Sequence, residues 1–478
     1  MSFNDTNAKL PVKAIATRPE IRFPRELVDH IANYMGKKEL ATCSLLSRYW
    51  RTSAVPLLFC KIVVHDHTLE GLDFCPSEHK CADETMNFDA FRRFLRNPAN
   101  KEIAPLIKGL TIRSDEPEFD PVPLEVSDFD FVLSKLCSLE SLELVNIHLL
   151  RCRAGVSLEC WSRSKPLKKL VLLDLCMEPP SADIVSMQKI GRDSMMAMDC
   201  CFVQLLKMFS QVDNLSIMDV IFDWEANPEG SPYGWYWNSP RLALFTGVTL
   251  HGRCRIQELT LRACSEVSQA DIIQILRFCE GINSLRRLEI TDSEGMQHEL
   301  ISAVGRSITH LRIDVHDNTD ELEYEDQYCV AECTAITSLY IHVQIDSVIE
   351  ALQVEAFNHL NNIFHNLRTS VSCITVEFDY SWLHLYSPSS TNPTYDGGPH
   401  RFPDESYLQS IDWEFIDAFS SRPALNSILF VFCHIPASTY PTPVSFQREM
   451  KAVKERLPQL TKKKLLVCTT KLRAEGEE

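Results

Sequence analysis

The spacing of apolar positions changes twice along the chain, and each change marks a different kind of structure. The first twenty residues show no period, and a flexible tail is expected over 1–20. From Phe23 the spacing is helical. Leu27, Val28, Ile31 and Met35 fall on one face of a helix opening at Phe23-Pro24-Arg25-Glu26. Pro24 is expected at the first helical position, where its missing N–H is harmless, and Glu26 suits the positive end of the helix dipole. Gly36 is expected to close this helix as its C′ residue. A second helix is predicted from Lys37, with Leu40, Cys43 and Leu46. A third is predicted with Tyr49, Trp50 and Val55, stopping before Pro56. Ile62-Val63-Val64 is predicted as a strand. Three helices in about 40 residues cannot hide this much apolar surface. The groups around Trp50 therefore predict a face that a partner covers.

From about residue 106 the spacing changes to a recurring unit, apolar-x-x-Leu-x-apolar. The clearest copies start at Leu139, Leu167, Val212, Ile256, Leu285, Ile308 and Ile336. Weaker ones are Ile107-x-x-Leu110-x-Ile112, Cys373-Ile374-x-Val376 and Leu425-x-x-Ile428-x-Phe430. The final alternation is the period of a strand with one buried face. Helical spacing intervenes, as in Asp271 to Cys279 with Ile272, Ile275, Leu276 and Cys279. The central positions are 23 to 54 residues apart. A curved array follows, in which each strand–helix unit buries its face on the next. Leu142, Leu144, Leu170, Leu215, Leu259, Leu261, Leu288, Leu311 and Leu339 are expected in one core. Glu143, Ser216, Thr260, Glu289, Arg312 and Tyr340 are expected on the concave side. Long insertions fall near 178–208, 223–240 and 381–412. The second concentrates Trp235, Tyr236 and Trp237 between Pro and Gly, and Ser387 to Pro403 reads as flexible.

Charge narrows the function classes. The chain has 478 residues, with 48 Lys and Arg against 65 Asp and Glu, a net charge of −17. That argues against a broad phosphate-binding surface, so no nucleic-acid partner is expected. Fifteen glycines weaken any case for Gly-rich nucleotide loops. No run approaches the ~18 apolar residues of a membrane span, and no membrane partner is expected. The 18 cysteines are expected as reduced thiols, with Cys137, Cys176 and Cys433 acting as small hydrophobes. A cytoplasmic or nuclear location is the corresponding expectation.

Candidate chemistry is sparse. His65, His67, Cys75, His79 and Cys81 are zinc-type ligands, but their spacing is not a paired finger, and a polar connection is the preferred reading. G-x-S-x-G, H-E-x-x-H and G-x-x-x-x-G-K-[ST] do not occur. No catalytic residue, metal or cofactor is expected. Lys462-Lys463-Lys464, with Arg473, is read as a solvated helix end or strand edge, with a basic localisation signal or contact to an acidic partner as the minority reading.

Two resemblances give these patterns a family. Phe23-Pro24-x-Glu26-Leu27-x3-Ile31, followed by Glu39-Leu40, Cys43 and Leu46-Ser47-Arg48-Tyr49-Trp50, resembles an F-box. Phe23 stands where that family has Leu, and Ser47 where Cys is commoner. Val55 to Ile62 resembles the extension of many fungal F-box proteins. The recurring unit resembles a leucine-rich repeat, with Ile256-x-x-Leu259-x-Leu261-x-x-Cys264 the best copy. Asn146 sits one step off that family's Asn position. The fold implied is α/β: a small three-helix F-box, then an irregular leucine-rich-repeat solenoid with parallel strands. The expected divisions are an F-box over 21–64, a linker region over 65–105, the array over 106–470 and a tail over 471–478.

The resemblance implies a non-catalytic substrate-recognition adaptor of a cullin-RING ubiquitin ligase of the SCF type. Its F-box would dock on a Skp-family adaptor, and through it on cullin and a RING subunit. Phe23, Pro24, Leu27, Leu40, Leu46 and Trp50 would form that contact, with Ile31 in the small internal core. The array would hold a protein substrate whose identity the sequence does not reveal. Trp235, Tyr236, Trp237, Arg262, Glu289, Arg312 and Tyr340 are the candidate substrate residues, from a concave set that also includes Glu258, Arg287, Thr291, Asp314 and His342. The alternative is an F-box joint in a structural or regulatory complex without ubiquitin transfer.

Overall fold

The computed structural model describes residues 23–66, 87–114, 122–152, 164–178, 201–222, 254–262, 272–273, 276, 281–291, 297–315, 330–344, 350–379, 405–434 and 446–472. The chain divides into two compact units, 1–61 and 62–478.

The first unit is helical: α1 Arg25–Ala32, α2 Lys37–Leu46 and α3 Arg48–Phe59. Pro24 stands just before α1, and its carbonyl accepts the Leu27 and Val28 N–H groups at 3.1 and 3.2 Å. Gly36 does not close α1. It lies at φ −71°, precedes α2, and its carbonyl accepts the Leu40 N–H at 3.0 Å. Ser47 is extended, and its hydroxyl accepts the Trp50 N–H at 3.3 Å. A serine in this place therefore ends α2 and caps α3. Contrary to expectation, α3 runs through Pro56 to Phe59. Interior proline costs about 3 kcal/mol. Leu57 and Leu58 offset that cost by packing on the core of Ala32, Leu40, Cys43 and Ala54.

The second unit is built on a parallel sheet. Numbered in chain order, its strands are β1 Lys61–Asp66, β2 Gly109–Ser114, β3 Val122–Glu125, β4 Ser141–Val145, β5 Ile147–Leu150, β6 Lys165–Leu173, β7 Cys176–Met177 and β8 Phe209–Met218. β9 Ile221–Phe222, β10 Arg255–Arg262, β11 Arg287–Thr291, β12 His310–Val315, β13 Ser338–Gln344, β14 Cys373–Asp379, β15 Ser427–His434 and β16 Leu466–Leu472 follow. Twelve form one sheet in the order β1-β2-β4-β6-β8-β10-β11-β12-β13-β14-β15-β16. Every neighbouring pair from β2 onward is parallel.

All ten recurring units of the sequence lie on these strands, in a common register. One ladder runs Leu110, Leu142, Leu170, Leu215, Leu259, Leu288, Leu311, Leu339, Ile374, Ile428 and Leu466. Two residues on, Ile112, Leu144, Leu172, Ile217, Leu261, Ile290, Ile313, Ile341, Val376 and Phe430 form a second ladder on the same face, and all ten are buried. One continuous core results. Toward β14 and β15 it turns aromatic: Phe378 packs against Phe430 and Phe432, and Trp413 against Phe430.

Four features differ from the sequence-based expectation. The supposed linker contains a helix, Phe88–Arg96, whose Phe88, Phe91 and Leu95 enter the main core. Their i, i+3, i+7 spacing is the signature of such a face. The sheet also runs to Leu472 through β16, a strand with Lys463 where the other copies have an apolar lead residue. A second parallel sheet, β3-β5-β7-β9, lies beyond the ends of β2, β4, β6 and β8. Asn146, Asp174 and Asp219 stand between the two sheets at φ 52°, 51° and 50°. Asn and Asp are the non-glycine residues that best tolerate this left-handed region. Asn146 is therefore a corner residue at its own register, repeated by Asp174 and Asp219, and not a displaced repeat asparagine. Finally, Cys137 is exposed and Cys176 half-buried; only Cys433 of those three is fully buried.

Candidate interaction surfaces

In the helical unit, Val28 and Ala32 turn inward one helical turn apart. Leu27 lies on the outer side of α1, and Ile31 is half-buried. Of the proposed adaptor residues, Phe23 is 49% exposed, Leu27 42% and Leu46 66%, with Pro24 also exposed. Trp50 is half-buried on the small core. Leu40 departs from the proposal. It is only 5% exposed, because α2 turns Leu40 and Cys43 together onto Ala32 and Ala54. Leu45 and Tyr34 are exposed apolar groups that sequence reasoning left out. The doublet Leu45-Leu46 was the available signal: neighbouring positions on a helix cannot both face one small core. The Tyr49 hydroxyl donates to the Phe23 carbonyl at 2.7 Å, tying the approach to α1 onto α3.

In the second unit, the sheet face opposite the Leu and Ile ladders gathers the predicted polar set. Thr260, Glu289, Arg312, Tyr340 and Thr375 are aligned on consecutive strands. Three of the candidate substrate residues are bound to each other rather than free. The Arg312 guanidinium lies 3.1 Å from the Glu289 carboxylate and 4.8 Å from the centre of the Tyr340 ring. The Tyr340 hydroxyl donates to Glu377. Burial and the Glu377 carboxylate both push the Tyr340 phenol well above its ordinary range, so it stays a donor.

The next row is buried. His342 lies between two carboxylates, with Asp314 at 3.2 Å from Nδ1 and Asp379 at 3.1 Å from Nε2. Burial opposes charge on this ring, but the two carboxylates outweigh it and raise its pKa to about 9. Thr291, Asp314 and His342, expected on an open concave face, are therefore interior groups. Arg262 is half-buried at the end of β10. Glu377 and Asp379 were missed, although Val371-x-x-Ile374-x-Val376 repeats the recurring unit and sets Glu377 in register with His342. Asp314 and Asp379 sit on opposite ring nitrogens and do not converge on one point. Among the described residues, no group of three or more His, Cys, Asp or Glu is placed to hold a metal. Trp235, Tyr236 and Trp237 lie outside the described residues, as do His67, Cys75, His79 and Cys81.

The exposed apolar face belongs to a segment of known kind. Residues 21–59 match the F-box domain family. That match spans all three helices of the first unit. No curated protein matches the chain. Within the matched segment Phe23, Pro24, Leu27 and Leu46 are exposed, and Leu40 lies in the small core.

Proposed function

We propose that the chain is the substrate-recognition subunit of an SCF-type ubiquitin ligase. The F-box docks on a Skp-family adaptor, and through it on cullin and a RING subunit. The second unit holds a protein substrate. The F-box match over residues 21–59 carries this reading. The exposed Phe23, Leu27, Leu45 and Leu46 support it, because a small helical unit leaves such groups outside when a partner covers them. The second unit is read as a leucine-rich-repeat-like array, in keeping with its consecutive parallel strands and continuous Leu and Ile ladders. Passage of α3 through Pro56 toward β1 is in keeping with the fungal type of extension.

The chain would act by proximity. Holding a substrate beside a charged ubiquitin-conjugating enzyme raises the local concentration of its lysines, and no catalytic residue of this chain is required. Affinity purification of the intact chain tests the reading against a chain lacking residues 22–60. Recovery of a Skp-family adaptor and a cullin with the intact chain only, together with a partner protein that persists longer on depletion, is the expected result. Adaptor recovery without cullin, and with no change in partner lifetime, would favour a structural joint instead.

A further inference from the structure

The C-terminal end of the large sheet differs in charge from the rest of the chain. Between Gln447 and Leu472 the sequence has eight Lys or Arg and two Glu, a net +6, whereas the whole chain carries −17. These residues form a helix Gln447–Arg456, a short helix Pro458–Lys462 and β16. Lys464 stands at the turn into β16 with φ 59°, a position where glycine is the ordinary choice. The turn is closed by the Leu465 N–H donating to the Leu460 carbonyl at 3.0 Å.

β16 is also the last strand of its sheet, and among the described residues no strand pairs with its outer edge. Its inner edge is set by β15, where the Ile428 N–H donates to the Leu465 carbonyl at 2.8 Å. Backbone groups alternate sides along a strand, so Leu466, Cys468 and Thr470 point their N–H groups away from β15. Val467 is 48% exposed, and Thr469, Thr470 and Lys471 are exposed. Leu466 and Cys468 are half-buried at the open end of the core. Such an edge is a template for one more strand. The helix Gln447–Arg456, which carries Lys454, packs against β16.

We propose that β16 docks an extended acidic segment of a partner protein, which joins the sheet as a further strand. The segment's backbone pairs with the outward groups of Leu466, Cys468 and Thr470, and its carboxylates meet Lys454, Lys462, Lys464 and Lys471. This proposal goes beyond the adaptor reading and does not depend on it. A single-stranded nucleic acid would satisfy the charge but not the backbone edge, which is why a peptide is favoured.

Fluorescence anisotropy with the full chain tests this, using a labelled decapeptide of alternating valine and glutamate. Binding is expected, and it should weaken as salt rises. The same peptide with an N-methyl group on every residue keeps its charge but has no N–H to donate, and should bind at least tenfold more weakly. A Lys462→Glu, Lys464→Glu, Lys471→Glu triple variant should also lose at least tenfold. Thr470→Pro removes an outward N–H only and should block the peptide; an unchanged denaturation midpoint of the full chain shows that this variant is folded. Failure of the valine–glutamate peptide to bind would overturn the proposal. So would equal binding of the N-methylated peptide, indifference to the lysine changes, equal competition by a ten-nucleotide single-stranded DNA, or self-association of the chain that excludes the peptide.

Discussion

The F-box carries apolar groups on its outside, whereas the sheet unit carries charged groups on its inside. The F-box core is small, centred on Ala32, Leu40, Cys43 and Ala54. Such a core cannot also absorb Phe23, Leu27 and Leu46. The sheet unit has a core running from Val64 to Leu460. A unit of that size can enclose the His342 group, provided each charge faces an opposite one. Exposure of an apolar residue therefore points to a partner in one unit. Burial of a charged residue in the other points to the integrity of the sheet.

The strongest way to break this comparison is His342→Ala. It leaves Asp314 and Asp379 without the cation between them, and the expected loss is about 3–5 kcal/mol in the unfolding transition of the sheet unit. Adaptor copurification should stay unchanged. A loss below about 1 kcal/mol by denaturant titration would show that the cluster is solvated rather than interior.

Leu40→Ala is the corresponding change in the F-box. Truncating a buried leucine is expected to cost about 2–5 kcal/mol and to melt the helices, measured by hydrogen exchange of the amides of residues 25–59 in the full chain. Adaptor binding would then fail through unfolding. Full amide protection combined with lost binding would instead return Leu40 to the contact surface.

Titration sharpens the comparison further. His342 has a folded pKa of about 9 against an ordinary 6.5. Its raised pKa means that the stabilisation is complete below about pH 6.5 and is lost as pH rises through about 9. The expected loss across that window is about 3 kcal/mol, read from denaturation midpoints of the sheet unit. The groups facing the ring are Asp314 on β12 and Asp379 on β14, with Glu377 beside it in register on β14 and Arg312 and Tyr340 in the neighbouring row. His342→Ala should remove this slope. A midpoint that does not move between pH 6.5 and 9 would overturn the assignment.

The smallest effect on stability is expected for Leu27→Ala with Leu46→Ala. Exposed positions of this kind change stability by about 0.5 kcal/mol or less each. Adaptor affinity should nonetheless fall at least tenfold, measured by calorimetry with the purified adaptor. A folded double variant with wild-type affinity would remove this face from the contact.

Much of the architecture was legible because each strand needs only a local pattern. Leu259 and Leu261 announce an inward face whatever lies beside them, and the same holds for every copy from Ile107 to Leu425. β16 escaped because Lys463 replaces the apolar lead residue, and the corner residues escaped because Asn146 was measured against a different register. The F-box was legible as an ordered set of residues. Which of its leucines face outward was not, since Leu40 and Leu46 share a helix and differ only in what α1 and α3 place beside them.

The sequence by itself determined the helical and strand segments, the common Leu and Ile spacing and the F-box pattern, because period and spacing are properties of neighbouring residues. Tertiary structure decided the rest. It sent Leu40 inward, carried α3 past Pro56, and turned Glu289, Arg312 and Tyr340 toward one another. It also enclosed His342 between two carboxylates contributed by β12 and β14. The contacts across the sheet join groups 23 to 37 residues apart, and no local pattern records which strands become neighbours.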